Sequence, residues 1–320
     1  MTGDIVAELG YLFLGTRLKR LGERMQADVA RLVEREGFPI QPSQYPILAA
    51  LDRYGPLTVG EMVQAMGLSQ PAVTRNLARL IEIGLVEASR IHKDQRHKTM
   101  TLTDAGCEAV ARSRQYVWPQ IEAVAYALAA ELSGPIASQL GALEKALAQT
   151  PLDRRVEAGP MRGLRVLPWT DERAKAFHEI NAEWISAMFR LEQTDLDVLE
   201  NPRAKVIEPG GDILFVEAQG LGIVGTVALQ KTGEGRFELT KMGVTEAARG
   251  RKAGEFLLHA ALRRAGELNA TTLYLLTNTL CAPAIHLYEK LGFVHDAGIM
   301  HDYGARYERC DVAMLYAPGR

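Results

Sequence analysis

The sequence predicts two domains, a mainly helical one followed by an α/β or α+β one. Three observations lead there. The chain has 320 residues, enough for about two domains of ordinary size. Apolar residues keep helical spacing through the first half, whereas strand-like runs alternate with helical ones in the second. Between the halves, QTPLDRRVEAGPMRG (residues 149–163) brings two prolines, two glycines and mixed charge that interrupt the periodicity. The expected division is residues 1–150, a linker at 151–161, and residues 162–320.

Composition narrows the class. Hydrophobic residues make up 47% and charged residues 24%, which excludes a disordered, collagen-like or coiled-coil-only chain. No apolar run approaches the roughly 18 residues of a membrane span. The N-terminal stretch has an acid before its apolar residues and no basic leader, so no secretory signal and no membrane partner are expected. Cys107, Cys281 and Cys310 are odd in number and widely spaced, which fits a reducing cytoplasm better than a disulfide framework. Net charge is −2; residues 1–150 carry 16 Lys+Arg against 16 Asp+Glu, and residues 151–320 carry 21 against 23. Nucleic-acid binding would therefore need a local basic patch.

In the first half, Leu14, Leu18, Leu21, Met25, Val29 and Leu32 form one long helical stripe. A second helix is expected near 44–53. Thr58 can cap a short helix, 59–66, that stops at Gly67. Ser69 can cap the next, with Pro71 in its first turn. That helix buries Val73, Leu77 and Leu80 and presents Gln70, Thr74, Arg75 and Arg79 on the opposite face. Two helices joined by a tight turn make a helix-turn-helix. LVEAS and KTMTLT then read as two strands joined by RIHKDQRH, in which Arg90, Lys93, Arg96 and Lys98 oppose only Glu87 and Asp94. Here is the local basic patch: base edges for the helix, phosphates for the hairpin. Pro119 and SGP at 133–135 are expected to interrupt the helices that follow, before a last stripe at Leu140, Leu143 and Leu147.

The Ser-capped helix, TRNLARLIEIGLVE and the KDQRHKTMTLTDAG wing resemble a MarR-type winged helix-turn-helix over about residues 5–150. The resemblance implies a homodimer through the N-terminal and post-wing helices, bound to a palindromic operator in double-stranded DNA.

In the second half, GLRVLPW reads as a strand, and Thr170 caps the helix beginning DERAKAFHEI. DILFVEA and GIVGTVALQK form a hairpin around QGLG, FELTKMGV and TTLYLLT are strands, and PAIHLYEKL is a helix ending at Gly292. FVHDAG and CDVAMLY close the domain as strands. Chemistry concentrates at two junctions. Arg249, Gly250, Arg251, Lys252, Ala253 and Gly254 open a helix, where successive backbone N–H groups can cradle a pyrophosphate. LYEKLGF places Tyr288 on a helix a short way beyond TTLYLLT.

These two motifs, in this order, resemble a GNAT acyltransferase over about 162–316, with Lys252 at the loop's usual middle glycine and Cys281 at the usual Asn of the helix motif, Asn278 lying three residues before it. The resemblance implies an α/β (α+β) fold with a mixed, mostly antiparallel sheet. It implies acetyl-CoA as co-substrate and direct N-acetylation of a small amine. Glu238 would serve as general base and Tyr288 would protonate the leaving thiolate. Backbone N–H groups at Met242, Gly243 and Val244 would hold the thioester arm, alongside the 249–254 loop and Asn278. Glu183, Glu192, Asp195 and Glu217 are rival bases. His295, His301 and Cys310 fit no common zinc spacing, so no metal is expected. The leading reading is a regulator fused to an N-acetyltransferase; the alternatives are a sensor that binds acyl-CoA or an amine without turnover, and an enzyme whose winged helix only dimerises it.

Overall fold

The computed structural model describes residues 3–88 and 98–317. It divides into two compact units, Met1–Lys145 and Ala146–Arg320.

The first unit holds helices α1 (Ile5–Glu8), α2 (Leu14–Arg35), α3 (Tyr45–Tyr54), α4 (Val59–Met66), α5 (Gln70–Glu82), α6 (Asp104–Tyr116) and α7 (Trp118–Ala130), with α8 (Ile136–Gln149) running across the boundary. Strands β1 (Leu57–Thr58), β2 (Val86–Ala88) and β3 (Thr99–Leu102) form an antiparallel sheet in the order β1-β3-β2. Thr58 caps α4 as expected: its hydroxyl accepts from the Glu61 N–H, and the Glu61 carboxylate accepts from the Thr58 N–H. Gly67 ends α4 at φ 65°. Ser69 stands at the N-cap of α5 but makes no side-chain capping hydrogen bond, so sequence assigned that hydroxyl a role it does not play. Asn76 instead ties α5 down, donating to the Ser43 carbonyl at 3.2 Å. The helical break expected at Pro119 falls at Val117, and the proline sits in the first turn of α7. Ile47, Leu48, Met62, Val73 and Leu80 fill the core. Only Val33 of α2 is buried, while Leu18, Leu21 and Met25 are 37%, 50% and 47% exposed.

The second unit begins with the end of α8 and a short helix, α9 (Leu152–Ala158), inside the stretch expected as a linker. A seven-stranded sheet follows, in the order β4-β5-β6-β7-β8-β10-β9. Its strands are β4 (Leu164–Pro168), β5 (Asp212–Ala218), β6 (Gly222–Gly233), β7 (Arg236–Val244), β8 (Thr272–Thr277), β9 (Phe293–His295) and β10 (Val312–Tyr316). Every neighbouring pair is antiparallel except β7 and β8, so the sheet is mixed and mostly antiparallel. Helices α10 (Ala174–Met188), α11 (Gln193–Glu200), α12 (Ala253–Glu267), α13 (Ala282–Lys290) and α14 (Ala297–Tyr303) complete the unit. Alternation along β5 shows the layers. Leu214 and Val216 pack with Leu257 and Leu258 of α12, whereas Ile213 and Phe215 pack with Phe177 and Ile185 of α10. The helices thus cover opposite faces of the sheet. Two local expectations need correction. Thr170 precedes a 3-10 turn, Asp171–Arg173, and makes no capping hydrogen bond. The segment between the last two strands, which periodicity left unassigned, contains helix α14.

Candidate functional site

The site begins where backbone pairing stops. β7 and β8 pair in parallel at Arg236↔Thr272, Phe237↔Leu273 and Glu238↔Tyr274 and no further. Beyond that point the strands part around a cleft. Its lining comes from β7 (Leu239, Thr240, Lys241, Met242), from the end of β8 (Thr277, Asn278), from α13 (Tyr288) and from the segment before β10 (Tyr307, Arg309, Cys310). Trp184, Phe189, Cys281 and, from β8, Leu275 and Leu276 complete the wall.

A bulge shapes the β7 side. The β6–β7 register passes from Thr226↔Gly243 to Ala228↔Thr240, so Lys241 and Met242 together face one residue of β6. Lys241 adopts a left-handed backbone, φ 50°. At Gly243 a Cβ would lie 2.4 Å from Trp184 Cδ1, so only glycine admits the indole there. The Trp184 Nε1–H donates to Asn181 Oδ1 at 3.0 Å, and Asn181 is itself fixed to the Phe177 carbonyl at 2.8 Å.

Tyr288 lines the cleft with its ring against Phe293. Its hydroxyl lies 3.8 Å from Met242 Sδ. Burial pushes this phenol well above its ordinary titration range, so it carries its proton at neutral pH. The Asn278 side chain donates to the Arg309 carbonyl at 2.6 Å and accepts from the Leu280 N–H at 2.9 Å, which fixes the corner between β8 and α13.

The 249–254 loop opens α12 beside the cleft. Gly250 has φ 81° and Lys252 φ 53°. The position where a middle glycine would be usual is indeed left-handed, and a lysine occupies it at a cost of about 1 kcal/mol. Lys252 is the N-cap of α12 without a side-chain capping bond, and the first N–H groups of a helix have no intrahelical acceptor. A Cβ on Gly254 would meet Leu287 at 3.6 Å, Val244 at 3.8 Å and Met242 at 3.9 Å, so the loop abuts the wall that carries Tyr288. Ala253 is buried under the turn. Arg249 is paired with Glu246 at 3.1 Å, and Arg251 reaches the Gln219 carbonyl at 3.5 Å.

Glu238, expected as the base, is not part of the cleft wall. Its carboxylate is fully buried, accepts from Arg306 Nη1 at 2.5 Å and lies 3.5 Å from the Tyr307 hydroxyl. The rival carboxylates are engaged too. Asp195 is fully buried and accepts from Lys241 Nζ at 2.9 Å and from both Arg309 nitrogens at 2.7 and 2.8 Å. Glu192 accepts from Arg309 Nη1 at 2.9 Å and from the Glu308 N–H at 2.9 Å. Glu217 is paired with Arg165, and Glu183 lies exposed on α10. Burial pushes the Asp195 carboxyl up, but its hydrogen bonds to Arg309 and the Lys241 charge outweigh that and hold it below the usual carboxylate range. Lys241 also donates to the Tyr307 hydroxyl at 3.1 Å, with its ammonium 4.7 Å from the ring centre. Sequence reasoning missed Lys241, Tyr307, Arg306 and Arg309; no local spacing joins them.

Residues 38–97 match the family model described as the MarR family, and residues 168–293 match that of the acetyltransferase (GNAT) family. The chain joins a MarR-type region to a GNAT domain. Among curated relatives, the HTH-type transcriptional repressor MdtR of Bacillus subtilis is 32% identical over 89 residues, covering 28% of this chain and 56% of that protein. The HTH-type transcriptional regulator TcaR of Staphylococcus aureus is 37% identical over 71 residues, covering 22% of this chain and 46% of that protein. The chain therefore spans about half the length of the curated relatives it matches. A GNAT-family acetyltransferase structure from Staphylococcus aureus Mu50 aligns over 48% of this chain and 97% of that chain, at 20% identity and a TM-score of 0.44.

In the MarR region, Gln70, Thr74 and Arg75 line one open groove on α5 with Pro71 and Ala78. Arg79 is exposed on the same helix and paired with Glu82 at 2.6 Å. Lys98 is exposed immediately before β3. Arg90, Lys93 and Arg96 lie outside the described residues. In the GNAT domain, Met242, Asn278 and Tyr288 meet in one cleft, whereas Gly243 and Val244 follow on β7 and are not among its lining residues. Among the described residues, no group of three or more His, Cys, Asp or Glu is arranged to hold a metal ion, and no helix is long and apolar enough to cross a membrane.

Proposed function

We propose that the chain is a DNA-binding transcription regulator whose GNAT domain N-acetylates a small amine with acetyl-CoA, acting in the cytoplasm as a homodimer. The observation that carries the enzymatic half is the parting of β7 and β8 after Glu238, with Tyr288 in the opening and the α12 N-terminus against its wall.

The residues fit acetyl-CoA. Gly250 and Lys252 are left-handed, a backbone turn that can gather successive N–H groups into an anion nest, and the pyrophosphate would rest there at the head of α12. N–H groups at 242–244 would hold the pantetheine arm along β7. When bound, acetyl-CoA supplies a thioester carbonyl that an amine can attack. The new N–C bond forms as the C–S bond breaks, and the electron pair stays on sulfur. Tyr288, kept protonated by burial, donates its proton to that sulfur. The amine nitrogen sheds its proton to water, or to the Tyr307 hydroxyl as that hydroxyl passes its own proton to Glu238, its hydrogen-bond acceptor. Glu238 thus acts only through Tyr307.

Dimerisation draws on the exposed apolar residues of α2 and on Val124, Tyr126 and Leu128 of α7, exposed by 61%, 76% and 65%. Twofold pairing would set two α5 helices on a palindromic site.

One observation favours a second reading, in which acyl-CoA is bound without turnover: among the described residues, no carboxylate or histidine lines the cleft. Thiol release from acetyl-CoA across an amine panel separates the two. Turnover that falls about 100-fold in Tyr288→Phe, with acetyl-CoA affinity by calorimetry unchanged, establishes the enzyme. Tight acetyl-CoA binding with no thiol released from any amine establishes the sensor.

A further inference from the structure

The charge of the cleft specifies the kind of amine. Among the described residues, the charged side chains lining it are Lys241 and Arg309, both cations. Their counter-ions, Asp195 and Glu192, are not part of the wall. Lys241 is built into this position, since the bulge puts its backbone in the left-handed region and its side chain is 2% exposed. Arg309 is braced by two carboxylates and stacks near Tyr307 and Phe189, at 5.0 and 5.7 Å from their ring centres.

These cations are not placed for the acyl-CoA phosphates. The phosphate loop opens α12, on one face of the sheet. Lys241 reaches Asp195 of α11, packed with α10 on the other face. A group bound between Lys241 and Arg309 therefore enters the cleft from the side opposite the phosphates, where an acceptor must lie for its nitrogen to meet the thioester between the strands.

We infer that the acceptor is an amino-acid-type molecule, a primary amine and a carboxylate on one small skeleton, with the carboxylate held by Arg309 and Lys241. A carboxylate suits a guanidinium fork and an ammonium; a polyamine would bring a second cation against them. Trp184 and Phe189 supply apolar surface in the same cleft.

The inference rests on the acceptor-binding reading above, and its test separates the two. Amino acids are compared with their decarboxylated amines: phenylalanine with 2-phenylethylamine, leucine with 3-methylbutylamine, lysine with cadaverine. Spermidine is added as a polycation. Wild-type protein should show kcat/KM at least tenfold higher for the acid of at least one pair. Arg309→Lys should raise KM for that acid about tenfold and leave KM for its amine unchanged, a split that mere loss of structure would not give. A preference for the decarboxylated amines or spermidine overturns the inference and leaves the acyltransferase reading standing. If no acceptor releases thiol, calorimetry with CoA present decides. Binding of the acids and not of the amines supports the inference while turnover fails; binding of neither overturns it.

Discussion

Replacing Asp195 by Asn tests whether the buried charge network holds the GNAT domain together. The carboxylate is fully buried and takes hydrogen bonds from Lys241, from both Arg309 nitrogens and from the Glu192 N–H. Asn keeps the shape but removes the charge, which leaves Lys241, itself 2% exposed, without a counter-ion. Breaking a buried pair in this way costs about 3–5 kcal/mol. With a urea dependence of about 2 kcal/mol per molar, the unfolding midpoint of the domain should fall by roughly 1.5–2.5 M. Hydrogen exchange in peptides spanning 236–244, followed across a urea series on the full chain, reads this directly. The pH dependence adds a sign. The Asp195 carboxyl titrates below its ordinary value in the folded state, so its contribution is complete above the unfolded pKa of about 3.9 and is lost as pH falls through the folded one. The gap between wild type and variant should stay constant from pH 8 to 5 and close below about pH 4. A midpoint shift under 0.5 M, or a gap that closes near neutrality, would refute the buried-network argument.

Lys252→Gly should stabilise the GNAT domain by about 0.5–1 kcal/mol, because glycine accepts φ 53° freely; the same urea series measures it, and a loss of stability would show that the lysine side chain matters more than its backbone. Gly254→Ala should keep acetyl-CoA affinity within about twofold, since the new methyl meets only ordinary contacts, whereas Gly254→Glu should abolish it by calorimetry through repulsion of the pyrophosphate. In the MarR region, Lys98→Ala should weaken binding to all duplexes alike and lower the salt slope by about one. Thr74→Ala should cost about 1–3 kcal/mol on the preferred site alone, as measured by competition between specific and scrambled duplexes.

Local order was legible wherever one short stretch carries its own reason. The Thr58–Glu61 capping box, Gly67, the hairpin around 219–222 and the loop that opens α12 each follow from a few adjacent residues. Tyr288 and Asn278 reached the cleft because the motif that named them is a single helix and its entry. The surroundings of Glu238 were not legible, because strand alternation places a side chain on a face but does not reveal what lies across from it, and Arg306 is 68 residues away. The cations were missed for a related reason. Asp195 lies 46 residues from Lys241 and 114 from Arg309, and Lys241 reaches them through a bulge that periodicity cannot show. Ser69 was assigned a capping bond on residue type alone, and the side chain does not make it.

The halt in pairing after Glu238 has a mechanical side. The sheet is two panels, β4–β7 and β8–β10, laced by backbone at only three positions. From Glu238 onward the lacing is by side chains: the ion pairs of Glu238 with Arg306 and of Asp195 and Glu192 with Arg309, and the hydrogen bond from Lys241 to Tyr307, all run from one panel and its helices to the segment that leads into β10 of the other. Such a seam behaves as a clasp. It yields to acid and to competing ions where a hydrogen-bonded ladder would not, and a molecule gripping both edges would lock the panels shut.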